Sequence, residues 1–198
     1  MTKRQKQIVI GTILGDAYLQ KTGKENARLR LEHSIKQKDY IFWKYKELEK
    51  YMQDKPKKLV RFNPVFKKEY TYYRCQSHSS PIFGKLRRKF YLDNKKVIPS
   101  DIKHLLNESL ALAVWYMDDG YYYHRDNIAF IYLSNFDKNS SNLLLEVLEK
   151  NFNLFPILKT KKKGKNLVFT VSDTKKLIEI IKNSIITSMR YKLPKFLL

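Results

Sequence analysis

Two stretches of this chain are almost wholly apolar, and each runs directly into an aspartate. The first ends Ile10-Gly11-Thr12-Ile13-Leu14-Gly15-Asp16-Ala17-Tyr18. The second ends Ala113-Val114-Trp115-Tyr116-Met117-Asp118-Asp119-Gly120-Tyr121, with Asp16 and Asp119 standing 103 positions apart. A helix that is apolar all round is a buried helix. Two buried helices at equivalent places of a repeated chain most simply pack on each other along a pseudo-twofold axis. Gly11, Gly15 and Ala113 are small enough to let them approach closely.

The rest of the chain repeats around this pair. Gln5–Gly15 reads as a helix. Tyr18–Lys21 and Arg28–His33 alternate polar and apolar residues about a turn at Thr22-Gly23-Lys24, a hairpin signal. Gln37–Gln53 has helical spacing through Tyr40, Ile41, Lys44, Leu48 and Tyr51. Lys58–Phe66 and Tyr70–Ser77 give a second hairpin, Pro81–Tyr91 a helix, and Lys95-Lys96-Val97-Ile98-Pro99 a break. The order then recurs: a helix at Leu106–Asp118 with Ser109 or Asn107 near its cap, a hairpin of Tyr121–Tyr123 and Ile128–Leu133, and a helix at Ser140–Asn151. It closes with a hairpin of Ile157–Lys162 and Asn166–Val171, a helix at Thr174–Ser188, and Tyr191-Lys192-Leu193-Pro194. The expected fold is α+β, an αββαββα unit duplicated as halves 1–100 and 101–198. A period of about 100 residues is too long for a solenoid and fits a fused symmetric dimer.

Charge narrows the partner. The chain has 198 residues, with 40 Lys+Arg against 19 Asp+Glu, a net charge of +21. Such a charge repels itself unless a polyanion neutralises it, which points to nucleic acid or an anionic membrane surface. No basic amphipathic helix stands apart, so the membrane surface is the weaker partner. With 43% hydrophobic and 14% aromatic residues the chain can bury a core, which excludes disorder. The single cysteine, Cys75, excludes an internal disulfide framework and a cysteine-cluster metal site, and suits a reducing, intracellular compartment. It is expected to be a small core residue in a strand. The apolar stretch after the basic N-terminus is too short for a signal peptide, and no run is long enough to span a membrane.

Two carboxylates at two helix C-termini repel each other and face the negative ends of both dipoles. That arrangement calls for a cation. The donors are all oxygen, including the freed carbonyls of Gly15 and Asp118, which favours Mg²⁺ over zinc. A divalent-metal carboxylate site inside a strongly basic surface implies phosphodiester chemistry.

Both helix ends resemble the motif of the LAGLIDADG homing endonucleases. Leu112 to Gly120 is the clearer match, and Val9 to Ala17 resembles the Gly-x-x-Leu-Gly-Asp-Ala-Tyr variant of the two-motif branch. Leu31-Glu32-His33-Ser34-Ile35-Lys36-Gln37, Lys95 to Pro99 and Tyr191 to Pro194 resemble it too. The resemblance implies a monomeric pseudo-symmetric fold with two antiparallel DNA-binding saddle sheets. It implies Mg²⁺-dependent double-strand cleavage of a long target, with two or three cations, Ca²⁺ supporting binding only and Mn²⁺ as a substitute. It also implies an intron or intein host in an organelle or a microbial cytoplasm, with the chain's own intron RNA as a further partner.

Position by position, Asp16 and Asp119 match the catalytic aspartates, and Gly15 and Asp118 the residues whose backbone carbonyls help bind metal. Lys96 and Lys192 match the basic residues bordering each site, with Lys95 the neighbouring alternative to Lys96. Asp118 is taken as a backbone ligand with an outward side chain. Glu32, and Ser134 or Asn135, fall where polar residues order water. Val114 stands where a glycine is expected, and Ala17 where the first aspartate is normally followed by glycine. His33, His78, His104 and His124 lack ligand spacing. Candidate base readers lie on strand faces: Arg28, Arg30 and Glu32; Arg74, Gln76 and His78; Lys159, Lys161 and Lys163. A two-stranded ribbon fits the major groove, where Arg pairs with guanine and Gln with adenine. The alternative activity is a non-cleaving nucleic-acid binder of the same fold, an intron RNA maturase or a DNA-binding regulator.

Overall fold

The first helix is fixed by its own ends. In the computed structural model, which describes residues 1–133, 136–161 and 164–195 (for Lys161 the backbone only), helix α1 runs Lys3–Leu14. A capping box starts it: the Thr2 hydroxyl accepts the Gln5 N–H at 3.2 Å, and Gln5 Oε1 accepts the Thr2 N–H at 3.0 Å. Every residue from Gln7 to Leu14 is buried.

Strands β1 (Tyr18–Lys21) and β2 (Ala27–Ser34) follow, then α2 (Lys38–Leu48), β3 (Lys57–Asn63), β4 (Lys68–Gln76) and α3 (Pro81–Phe90). These strands form one antiparallel sheet in the order β1-β2-β4-β3. Alternation on β2 is strict, with Ala27, Leu29, Leu31 and His33 buried and Arg28, Arg30, Glu32 and Ser34 half-exposed. The pleat alone requires this two-faced pattern.

A two-residue hairpin of β5 (Tyr91–Leu92) and β6 (Lys95–Lys96) comes next. Its turn residues Asp93 and Asn94 have φ of 46° and 63°, the left-handed pair that a tight hairpin needs and that Asp and Asn tolerate best after glycine. A short helix α4 (Ile102–Leu105) leads to α5 (Ser109–Asp119). Then come β7 (Gly120–Tyr123), β8 (Ile128–Leu133), α6 (Lys138–Phe152), β9 (Ile157–Lys161), β10 (Gly164–Val168) and α7 (Val171–Ile181). The second sheet has the order β7-β8-β10-β9, the same first-second-fourth-third order as the first. The duplicated α-β-β-α-β-β-α reading and the α+β class are borne out.

By packing, the chain divides into two compact units, Met1–Gly15 with Arg88–Leu198, and Asp16–Arg87. In the first, α1 packs on α5. Val114 does not hold the helices apart, because Gly11 faces it. A Cβ added at Gly11 would lie 2.8 Å from Val114 Cβ and 2.4 Å from the Ala111 carbonyl oxygen. One glycine on one helix accommodates a β-branched residue on the other. The core of this unit includes Ile8, Ile13, Trp115, Tyr116, Ile131, Leu167 and Leu177. The core of the second unit gathers Leu19, Leu29, Leu31, Tyr40, Ile41, Leu48 and Phe83. Cys75 is buried there as expected.

Some elements differ from the sequence expectation. The helix expected over Leu106–Asp118 begins at Ser109, and its N-cap Glu108 makes no side-chain cap bond. Asn107 is engaged elsewhere, its Oδ1 accepting from Gln7 Nε2 at 3.3 Å. The last helix begins at Val171, because the Thr170 hydroxyl caps the Asp173 N–H at 3.1 Å. It stops at Ile181 and not Ser188, passing through a 3₁₀ turn at Lys182–Ser184 to extended Ile185. Asn183-Ser184 followed by β-branched Ile185-Ile186-Thr187 propagates helix poorly. Among the described residues, no helix is long and apolar enough to cross a membrane.

Candidate active site and nucleic-acid interface

Neither buried helix carries a basic residue in its last turn. The cation that a helix C-terminus favours arrives instead from distant sequence. Lys96 donates from Nζ to the Gly15 carbonyl oxygen at 2.8 Å. Lys192 donates to the carbonyl oxygens of Met117 at 2.6 Å and Asp118 at 2.9 Å. The same constellation therefore occurs twice, with a lysine on the last carbonyls before a helix-end aspartate.

Local structure explains both placements. In the tiny hairpin, successive side chains point to opposite faces. Lys95 is exposed and Lys96 is half-buried against α1. Lys192 ends a 3₁₀ segment, Thr187–Lys192, that α5 itself anchors, since the Tyr116 hydroxyl donates to the Lys192 carbonyl oxygen at 2.9 Å. Burial pushes the Tyr116 phenol well above its ordinary range, so it remains a donor.

At the first helix end, Asp16 follows Gly15 and its side chain is 44% exposed. Its Oδ2 lies 3.6 Å from Nδ1 of His33. At the second, Asp119 is half-buried. Asp118 is 8% exposed, not turned outward as expected. It fills the space that Gly15 leaves, where an added Cβ would sit 2.4 Å from Asp118 Cβ and 2.6 Å from its Oδ2. Each helix end offers hard oxygen donors, a carboxylate and the carbonyl before it, of the kind that Mg²⁺ or Ca²⁺ takes.

On the first sheet, Arg28, Arg30 and Glu32 share the outer face of β2, and the register sets Gln76 beside Arg30 and Arg74 beside Glu32. Glu32 is engaged by two arginines. Its carboxylate accepts both guanidinium nitrogens of Arg61 at 2.7 and 2.8 Å and Arg74 Nε at 2.6 Å. Burial alone would raise the Glu32 carboxyl, but the hydrogen bonds and charges of Arg61 and Arg74 outweigh it and hold it below the ordinary range. His78 lies beyond the end of β4 and is exposed, because the strand stops at Gln76 and Ser77 turns the chain toward α3. On the second sheet Lys159 is exposed on β9, opposite Asn166. The Lys161 side chain, Lys163, Ser134 and Asn135 lie outside the described residues. Tyr122 is buried and donates to Asn127 at 2.9 Å, while Tyr121 and Tyr123 form the other face of β7.

Sequence reasoning missed three participants. Arg61 was not among the candidates, yet it grips Glu32. His33 and Lys44 were not paired, yet they meet behind Asp16 at 3.2 Å. The strand alternation and the helical spacing already placed both of these polar residues inward.

The chain matches the LAGLIDADG DNA endonuclease family over residues 6–177, and it belongs to that family. It is 29% identical to the probable intron-encoded endonuclease 1 of Wickerhamomyces canadensis over 198 residues, which cover 98% of this chain and 85% of that protein. It is 32% identical to the cytochrome b mRNA maturase bI2 of Debaryomyces hansenii over 117 residues, 58% of this chain and 44% of that protein. Its fold is similar to that of the homing endonuclease I-WcaI bound to its DNA recognition sequence, with a TM-score of 0.89 and 27% identity over 97% of this chain and 86% of that one.

Proposed function

We propose that this protein is a site-specific, intron-encoded homing endonuclease that makes a double-strand break in a long DNA target, acting as a monomer whose halves 1–100 and 101–198 each serve one strand. The observation that carries this reading is the repeated helix-end constellation: Asp16 beyond a carbonyl held by Lys96, and Asp119 beyond carbonyls held by Lys192.

Asp16 and Asp119, with the Gly15 and Asp118 carbonyls, would hold divalent cations, Mg²⁺ first, which when bound activate water and stabilise the leaving oxygen. Lys96 and Lys192 then have two tasks. Each neutralises a helix dipole end, and each brings a positive charge that would stabilise the scissile phosphate. Arg28, Arg30 and Gln76 present base-reading groups on one sheet, beside the Arg74 that Glu32 engages, and the exposed Lys159 would contact phosphate on the other.

A second reading draws on the similarity to the cytochrome b mRNA maturase: the same basic surface would bind the chain's own intron RNA without cutting. One experiment separates the two. A randomised duplex library is incubated with Mg²⁺, with Ca²⁺ as the binding-only control, and cleaved sites are selected. The nuclease reading expects cleavage at a defined sequence in Mg²⁺, abolished as a double-strand break in both Asp16→Asn and Asp119→Asn while binding in Ca²⁺ persists. Cleavage unchanged in Asp119→Asn would overturn the paired site, and binding without any cleavage would favour the maturase reading.

A further inference from the structure

The turn Asn63-Pro64-Val65-Phe66-Lys67 joins β3 to β4. Its frame is ordinary turn chemistry. Asn63 Oδ1 accepts the N–H groups of Val65 at 3.0 Å and Phe66 at 3.2 Å, and Lys67 takes a left-handed φ of 47°. Its tip is not. A β-branched and an aromatic residue stand where exposed turns carry Gly, Ser or Asp, and they are 82% and 70% exposed. Two apolar side chains are thus held in water on a backbone that its own hydrogen bonds have already ordered.

The two faces of this hairpin differ. On β4, Cys75 is buried and the Tyr73 ring meets Phe42 of α2, so Tyr73 and Thr71 share the face toward that helix. The β3–β4 register adds Val60 and Phe62 to it. The opposite face carries Arg61, Tyr70, Tyr72, Arg74 and Gln76, and it is the face given to DNA above. From the Lys57–Arg74 pair to the Asn63–Lys68 pair it extends about 20 Å at the rise of a strand. The Val65-Phe66 turn closes its far end.

Charge decides what meets that tip. Lys67 and Lys68 follow it directly, in a chain of net charge +21. A second copy of so basic a chain is repelled there, whereas a polyanion is drawn in. Duplex DNA hides its apolar surface between base steps, and apolar side chains reach it by prising a step apart. A turn that is ordered before binding loses little freedom in doing so.

We propose that the Val65-Phe66 turn is a wedge that enters one base step at the outer margin of the DNA bound by the first sheet. The step that suits it is pyrimidine–purine, which unstacks most readily. The tip then selects sequence by deformability, beyond the reach of the base-edge contacts. The inference rests on the nuclease reading, which supplies the target duplex.

The test remakes the selected target as a series of duplexes, each with one 2-aminopurine, bound in Ca²⁺. Fluorescence should rise several-fold at one step near one end of the target. Phe66→Ala should return that signal to the level of free duplex and lower target affinity ~10-fold, with the salt slope unchanged because no charge is removed. Phe62→Ala, which removes an exposed aromatic ring from the face toward α2, should change neither. Stiffening the same step to an A-tract should weaken wild type but not Phe66→Ala, because the two changes act on one contact. A bound target in which no position brightens overturns the proposal, as does brightening that survives Phe66→Ala or is lost equally in Phe62→Ala. Self-association of the free protein that Phe66→Ala abolishes gives the tip to a second copy and overturns it too. Should Phe66→Ala fail to fold, the wild-type scan and the stiffened step still decide. A chain that selects no duplex overturns the nuclease reading and this inference together. One that cuts its target without unstacking a step overturns this inference alone.

Discussion

Lys96 donates its ammonium to the Gly15 carbonyl oxygen across 81 residues of chain. The bond joins the hairpin after α3 to the C-terminal end of α1, one residue before Asp16. Lys192 does the same for α5 through Met117 and Asp118. Charged hydrogen bonds of this kind contribute ~1.5–3 kcal/mol. Lys96→Met and Lys192→Met are each expected to lower stability by about that amount, read from the denaturant midpoint. Each is also expected to slow cleavage more than the lost folded fraction explains. Wild-type cleavage in either variant would reduce the lysine to a helix cap.

The approach of α1 to α5 depends on two glycines that meet different neighbours. Gly11→Ala would drive a methyl into the Ala111 carbonyl and Val114, and Gly15→Ala would drive one into the Asp118 side chain. Overpacking of this kind costs ~1–3 kcal/mol. Gly23 is the internal control, since its nearest atom to an added Cβ lies 3.9 Å away. Thermal unfolding should show a clear loss for Gly11→Ala and Gly15→Ala, and little change for Gly23→Ala.

The paired helix ends were legible in the sequence because burial, periodicity and duplication all converge on the same residues. Lys96 was legible as a candidate through its place before Pro99. Its choice over Lys95 needed the turn at Asp93-Asn94, which sets the hairpin face. The partners of Glu32 are not legible in the sequence because they are non-local: the β2–β4 register sets Arg74 beside it from 42 residues away, and Arg61 reaches it from 29. Single-strand alternation identifies a face, but not which side chains on that face neutralise one another. The meeting of His33 and Lys44 was hidden for the related reason that β2 alternation and α2 spacing each put a polar residue inward without saying that they touch.

Cys75 should be inert as a thiol in the native state. Burial pushes it up to about 12, although the Lys44 charge pulls the other way. The thiolate is the reactive form, so an aromatic disulfide reagent at neutral pH should label the folded protein only as fast as it opens. Labelling should become immediate in denaturant. Rapid labelling of native protein would contradict the burial of Cys75 on β4.

The Glu32 bridge has a sign that pH can read. Its carboxyl titrates below the ordinary glutamate range in the folded chain. Its stabilising contribution is therefore complete above that range, and is lost as pH falls through the depressed folded value. The groups are partly exposed and screened by solvent, so the effect on stability is small. Wild type should exceed Glu32→Gln in stability near neutrality, with the gap closing in acid. The larger effect is on DNA. Glu32 occupies both Arg61 and Arg74, and removing its charge releases two guanidinium groups toward phosphates. Glu32→Gln is expected to bind non-target duplex more tightly, with a steeper loss of affinity as salt rises. Its preference for the selected target should narrow. Fluorescence anisotropy with target and scrambled duplexes, in Ca²⁺ across a salt series, checks this. An unchanged salt slope would mean that Arg61 and Arg74 face away from the DNA and that the first sheet reads its target without them.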